Sequence, residues 1–250
     1  MEKDAIIIAK RAHKVIYRVG DKIIKTFDED YSKADILNEA LNQARVEDIG
    51  INIPKLIEVC KIDGKWSIVM EYIEGKTLEQ LMQENPEKTD EYLDRFIRLQ
   101  TLIHTKRSKL LTLHRDKMYR KIENGSLDAS TKYDLHVKID GMPKHEKVLH
   151  GDFNPSNVII TPDDEEYVID WAHVTQGSAS ADCARTFLIF SLAQKDELAN
   201  KYLKRFCQLN NIAIQYVQKW IPIIAASQLA KQRPEEKDFL MKWIDVFDFQ

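Results

Sequence analysis

The side chains able to do chemistry concentrate in one stretch, His150-Gly151-Asp152-Phe153-Asn154-Pro155-Ser156-Asn157-Val158-Ile159-Ile160, followed by Val168-Ile169-Asp170-Trp171. Asp152, Asn157 and Asp170 fall on or beside two short strands that read as a hairpin, which would gather three oxygen-bearing side chains. A carboxylate, an amide and a second carboxylate suit a hard cation such as Mg²⁺, which takes oxygen ligands and leaves room for phosphate and water. Pro155 and the lack of helical periodicity mark 151–157 as a fixed loop, a setting in which catalytic carboxylates are often held. Asp152 and Asn157 stand five positions apart, and Asn157 and Asp170 thirteen.

The five-residue Asp-to-Asn separation, followed by an Asp after the next short strand, is also the arrangement of the protein-kinase catalytic and metal loops. Here H-G-D replaces H-R-D, and I-D-W stands in place of D-F-G. In these residues the chain resembles the aminoglycoside phosphotransferase/choline kinase family, small-molecule kinases of protein-kinase-like fold. The likeness extends through Gly177 and Asp182-Cys183-Ala184-Arg185.

The resemblance implies an α+β, two-lobed protein-kinase-like fold, with a small antiparallel-sheet N-lobe carrying one helix and a larger, mostly helical C-lobe. Residues 1–75 would form the nucleotide-binding lobe and hinge, and 76–250 the helical lobe with the catalytic loop and acceptor site. It implies ATP and Mg²⁺, with Asp152 accepting or orienting the acceptor proton and Asn157 and Asp170 holding the metal. His150 would orient the loop. Asp182 would anchor it, capping the helix that starts there and bonding the loop backbone. Upstream, a strand lysine and a helix glutamate are required, and Lys25 and Glu39 meet that order. Taken singly, these two read as solvated residues; their joint order with H-G-D and I-D points to a pair against the α- and β-phosphates. Met70 to Gly75 resembles the hinge, where Glu71 would offer adenine a carbonyl and Ile73 an N–H and a carbonyl. Ile23, Ile159 and Ile169 would sandwich the ring or, equally, pack as core. Lys10, Arg11 and Lys14, where a protein kinase has its glycine loop, would add positive charge near phosphate or simply face solvent, and read first as facing solvent.

These residues need elements to position them. Ile6–Ile8, Val15–Val19 and Lys22–Phe27 read as strands, with a turn at Gly20-Asp21. Residues 32–46 read as a helix capped by Ser32, its Ile36, Leu37, Ala40, Leu41 and Ala44 at helical spacing. Strands at Leu56–Lys61 and Trp66–Tyr72 follow. From Thr77 the pattern turns helical, with Thr77 and Gln80 in a capping-box arrangement and a second helix from Thr89. Leu127–Ile139 is amphipathic, 147–171 is a β-rich patch, and helices are expected over 182–194, 196–209, 213–230 and 234–247.

Composition narrows the alternatives. The chain has 250 residues and 8 glycines, the closest pair ten positions apart, so neither a Walker loop nor a G-x-G-x-x-G fingerprint is present. A net charge of −3 gives no support to nucleic-acid binding. No apolar run approaches the roughly 20 residues of a membrane span, and three scattered cysteines suit reduced thiols in the cytoplasm. The expected partner is a small-molecule hydroxyl acceptor, with cationic compounds such as aminoglycosides and amino alcohols among the candidates. Trp171, Trp220, Trp243, Asp245 and Asp248 could hold a cation, although tryptophans at helical spacing read first as core. With only eleven residues between Asp170 and Asp182 and no A-P-E element, a protein acceptor is disfavoured. A protein-serine/threonine kinase, a nucleotide-binding pseudokinase scaffold and a metallophosphatase are the competing readings.

Overall fold

In the computed structural model, the backbone is described over residues 5–245 and the side chains over 5–244. Of the candidate acceptor residues, Asp248 and the Asp245 side chain therefore lie outside the described residues. The chain forms two compact units, the first made of 1–89 with Pro155–His173 and the second of Asp90–Asn154 with 174–250.

The first unit is built on β-branched, hairpin-forming sequence. Strands β1 (Ile6–Arg11), β2 (Lys14–Val19), β3 (Lys22–Phe27), β4 (Leu56–Ile62) and β5 (Lys65–Glu71) form an antiparallel sheet in the order β1-β2-β3-β5-β4. Asp63 and Gly64, both at positive φ, make the tight β4–β5 turn. Helix α1 (Lys33–Val46) starts at Ser32, whose hydroxyl accepts from the Asp35 N–H. Its Ile36 and Ala40 bury against Phe27, Ile68 and Met70 of the sheet. Strand β6 (Lys76–Thr77) leads into α2 (Leu78–Glu84) through a complete Thr77/Gln80 capping box. β6 also pairs with β8 (Val158–Ile160), which pairs in turn with β9 (Glu166–Val168). Gly75 is required here because a Cβ would overlap the Ile160 carbonyl.

The second unit is helical: α3 (Thr89–Thr105), α4 (His114–Glu123), α5 (Ala129–Asp140), α6 (Ala179–Leu192), α7 (Asp196–Asn210), α8 (Ile214–Gln218), α9 (Ile221–Leu229) and α10 (Pro234–Asp245). A two-stranded ribbon joins β7 (Lys147–Leu149) to β10 (Thr175–Gly177). Phe96 stacks on Phe153 at 4.4 Å between ring centroids, with Phe190 and Tyr202 closing the aromatic core.

Two helix expectations are corrected, and two features lay beyond the sequence pattern. The β-rich patch of 147–171 is not one sheet, because β7 finds its partner in residues 175–177 while β8 and β9 pair with β6. The helix expected over 213–230 breaks at Lys219–Trp220, where Pro222 starts a new first turn. α6 begins at Ala179, three residues before the expected start, so Asp182 lies inside it and does not cap it. α4 escaped the sequence pattern because its buried residues, His114, Met118 and Ile122, are few among charged neighbours.

Candidate active site

The first unit holds a buried ion cluster. Lys25 sits mid-strand in β3, with Ile16 and Ile68 as its cross-strand neighbours, and its side chain is 9% exposed. Its Nζ donates to Glu39 Oε1 of α1 at 2.8 Å and to Asp170 Oδ1 at 3.1 Å. Burial opposes the Lys25 ammonium, but the Asp170 and Glu39 carboxylates more than offset it and hold its pKa above the ordinary lysine range. Conversely, Lys25 holds the Asp170 carboxyl well below the usual range, against the opposing effect of burial. Lys14 also turns inward, with Nζ 3.4 Å from both Glu39 oxygens, which corrects the expectation that it faces solvent. Lys10 and Arg11 are exposed.

Asp170 occupies the left-handed region at φ +64°, a conformation uncommon outside glycine and tolerated best by Asn and Asp. The chain after it is pinned from α1, where Asn42 Nδ2 donates to the Ala172 carbonyl at 3.0 Å. Before it, the Ile169 N–H donates to the Asn157 carbonyl at 2.9 Å, so the Asn157 and Asp170 segments are tied directly. Asn157 ends a 3-10 turn, Pro155–Asn157, and is buried. An amide oxygen and an ionised carboxylate are the hard donors that Mg²⁺ selects, so this pair fits that ion.

At the segment expected to be the hinge, Glu71 ends β5 and its N–H donates to the Lys55 carbonyl, while the Tyr72 N–H donates to that of Asp21. Among the described residues, no hydrogen bond engages the backbone of Ile73. Ile23, Ile159 and Ile169 are each half-buried, whereas Val158, Ile160 and Val168 beside the last two are buried.

In the second unit one face of α6 grips the loop that carries Asp152. Asp182 accepts the Gly151 N–H at 2.8 Å and the His150 N–H at 3.3 Å. Three residues on, Arg185 Nη2 donates to Asp152 Oδ1 at 2.9 Å, and Thr186 Oγ1 donates to the Phe153 carbonyl at 2.8 Å. Residues 182, 185 and 186 share a face because the helix repeats every 3.6 residues. Gly151, at φ +80°, gives the turn that aims both N–H groups at Asp182. Asp182 is itself buried, also bonded to His104 Nε2 at 3.0 Å and Gln100 Nε2 at 3.3 Å. Burial would raise its pKa, yet these partners bring it down to about 2. Asp152 is 30% exposed at the end of this scaffold, and its N–H lies 3.3 Å from His150 Nδ1. The sequence pattern missed Arg185 as the partner of Asp152; its three-residue spacing from Asp182 on a helix was the available signal.

Two of the tryptophans are core. Trp171 is fully buried with Nε1 donating to the Val168 carbonyl, and Trp220 packs edge-on against His114. Trp243, half-buried, packs edge-on against Phe187.

Comparison with known proteins agrees with this architecture. Structures with the same fold include a thermostable mutant of aminoglycoside phosphotransferase APH(4)-Ia in ternary complex with AMP-PNP and hygromycin B (14% identity, TM-score 0.67, covering 97% of this chain and 90% of that one). Choline kinase LicA from Streptococcus pneumoniae superposes with a TM-score of 0.65 at 14% identity, covering 98% of this chain and 95% of that one. Aminoglycoside-3'-phosphotransferase of type VIII gives a TM-score of 0.65 at 14% identity over 90% and 93%. At these identities the likeness establishes the fold, a two-lobed α+β protein-kinase-like one. No curated protein matches the sequence significantly. Residues 7–216, most of the chain, match the profile of the phosphotransferase enzyme family, and the chain belongs to that family.

Proposed function

We propose that this protein is a small-molecule kinase that moves the γ-phosphate of ATP, with Mg²⁺, onto a hydroxyl group. The observation that carries the reading is the buried Lys25, shared between Glu39 at 2.8 Å and Asp170 at 3.1 Å. A lysine so placed is pre-charged and pre-oriented, which is what a nucleotide's phosphates require. Asn157 and Asp170 would hold Mg²⁺, which when bound neutralises charge on the phosphates. Ile73 would bond adenine through its backbone and Glu71 through its carbonyl, and Ile23, Ile159 and Ile169 would pack on the ring. The APH(4)-Ia complex with AMP-PNP and hygromycin B supports a nucleotide together with a small-molecule acceptor.

Asp152 is assigned as the base. The acceptor hydroxyl gives its proton to the Asp152 carboxylate as its oxygen forms a bond to the γ-phosphorus. The bond from that phosphorus to the β–γ bridging oxygen breaks, ADP and the phosphate ester leave, and the proton passes to solvent. Arg185 and Asp182 are positioning residues, since the first orients the carboxylate and the second fixes the loop that carries it. Such positioning is most of what phosphoryl transfer asks of a protein. The test is turnover of ATP·Mg²⁺ against a panel of hydroxylated small molecules. Activity that Asp152→Ala abolishes while the protein stays folded is the expected result, and full activity in that variant would overturn the assignment. Retention of Lys25, Asn157, Asp152 and Asp170 together argues against a scaffold, which needs none of the acidic groups.

A further inference from the structure

The surroundings of Asp152 are basic. On α4, Lys117 and Lys121 stand one turn apart on the stripe bordering its buried residues Met118 and Ile122, and both are half-buried. Like charges at this spacing are neighbours on the helix surface and repel. α4 packs on α9, and the chain leaving α9 brings in Lys231. From α6, Arg185 reaches Asp152 at 2.9 Å and Gln228 of α9 at 2.9 Å. Lys121 and Lys231 both lie within electrostatic reach of the Asp152 carboxylate and the Arg185 guanidinium, and Lys231 also faces Lys121 and Arg233. Lys117 faces Lys121, Arg185, Lys231 and Arg120.

The compensating acids are few. Asp152 is engaged by Arg185, and Glu236 is engaged by Gln228 at 2.6 Å and Arg233 at 2.9 Å. Among the described residues, neither Lys121 Nζ nor Lys231 Nζ donates a hydrogen bond, while the Lys231 N–H donates to the Gln228 carbonyl at 2.9 Å. Burial and mutual repulsion push the Lys117 pKa down to about 7 and that of Lys121 down to about 8; Lys231 is exposed as a residue, yet crowding of its ammonium and the nearby Arg185 and Lys121 bring its pKa to about 8 as well. Two lysines and an arginine around one carboxylate, with a third lysine facing all three, make a setting that an anion would complete. A cationic acceptor would add to the repulsion.

We propose that Lys117, Lys121 and Lys231 form the acceptor subsite beside Asp152, and that the acceptor carries an oxyanion, phosphate or carboxylate, in addition to its hydroxyl. The inference rests on the kinase reading, and it replaces the cationic acceptors that the sequence suggested with anionic ones. Lysine suits this task as a mobile point charge that meets phosphate or carboxylate without demanding one geometry.

The test has two arms. In the first, ATP·Mg²⁺ turnover is compared on glycerol 3-phosphate, glycerate, ethanolamine, choline and kanamycin. The expected result is turnover of the anionic compounds over the cationic ones, with KM rising with added salt. The ratio of glycerol 3-phosphate to glycerate says whether phosphate or carboxylate is the group held. Lys121→Gln and Lys231→Gln should each raise that KM about tenfold. Preference for the cationic compounds, or an unchanged KM in both variants, overturns the proposal.

In the second arm, inorganic phosphate is added to protein saturated with AMP-PNP and Mg²⁺. It should raise the Tm of the wild type and not that of Lys121→Gln/Lys231→Gln, as mass action predicts for a ligand of the folded state. A flat wild-type response overturns the proposal. Failure of the kinase reading looks different, because then AMP-PNP with Mg²⁺ gives no stabilisation while the phosphate response, measured without nucleotide, persists.

Discussion

The two ion clusters are built on opposite principles. In the first unit, Lys25 and Lys14 meet Glu39 and Asp170, two cations for two anions, with each nitrogen within 3.4 Å of a carboxylate oxygen. In the second, Lys121, Lys231 and Arg185 face Asp152, and Lys117 faces those same three cations. A balanced cluster is complete in the folded chain, and removing a member leaves a buried charge exposed to its own kind. An unbalanced one carries its repulsion until something from outside relieves it. Burial and pairing therefore hold the first set together, while the second is held by the helices that carry it.

The largest expected effect is on chemistry in the unbalanced cluster. Asp152→Asn keeps the shape and removes the proposed base, and kcat should fall about 10²- to 10⁴-fold; a change under tenfold would break the assignment. Next comes stability in the balanced cluster. Lys25→Met leaves Glu39 and Asp170 without their shared cation and should cost about 3 kcal/mol in urea unfolding. Lys231→Gln, by contrast, removes one of several like charges and should leave the folded state as stable or more so. If both variants lose stability equally, the contrast between the clusters is wrong.

Two pH windows sharpen the same comparison. The Asp182 pKa, about 2 in the fold against 3.8 ordinarily, is depressed, so its contribution is present above pH 4 and lost as pH falls toward 2. Asp182→Asn should flatten the acid limb of the stability profile by about 2 kcal/mol. The lysines of the second cluster are depressed too, from 10.5 to about 7 or 8. For a lysine this sign means that the unfolded chain holds more protons between those values, so stability should rise from about pH 7 toward pH 10. Added phosphate should weaken that rise. The smallest effect belongs to the exposed Lys76–Glu84 pair at 2.7 Å, where Lys76→Ala should shift stability by no more than about 1 kcal/mol. A larger loss there would show that exposed pairs in the first unit share the importance of its buried cluster.

Much of this was legible in the chain. The Lys25 strand, the Glu39 helix and the order of H-G-D, Asn157 and I-D-W are local patterns, and local patterns survive into structure because strand alternation, capping and turn chemistry are short-range. Ser32 and the Thr77/Gln80 box cap helices as their spacing implies. Lys14 was misread because a strand residue's facing depends on what packs above the sheet, and Glu39 arrives from 25 residues away. α4 and its lysines were invisible because three apolar residues in ten give little periodicity, so its packing on α9 is what makes that helix bury a face.

The sequence by itself determined the family, the alternation of elements and the order of the residues proposed to handle phosphate, since these follow from neighbours along the chain. The tertiary structure decided which charges meet. Asp152 and Arg185 are 33 positions apart, Lys25 and Asp170 are 145, and Lys121 and Lys231 come from α4 and from the turn after α9. Electrostatic energy depends on distance in space and on burial, and neither is written in the order of residues.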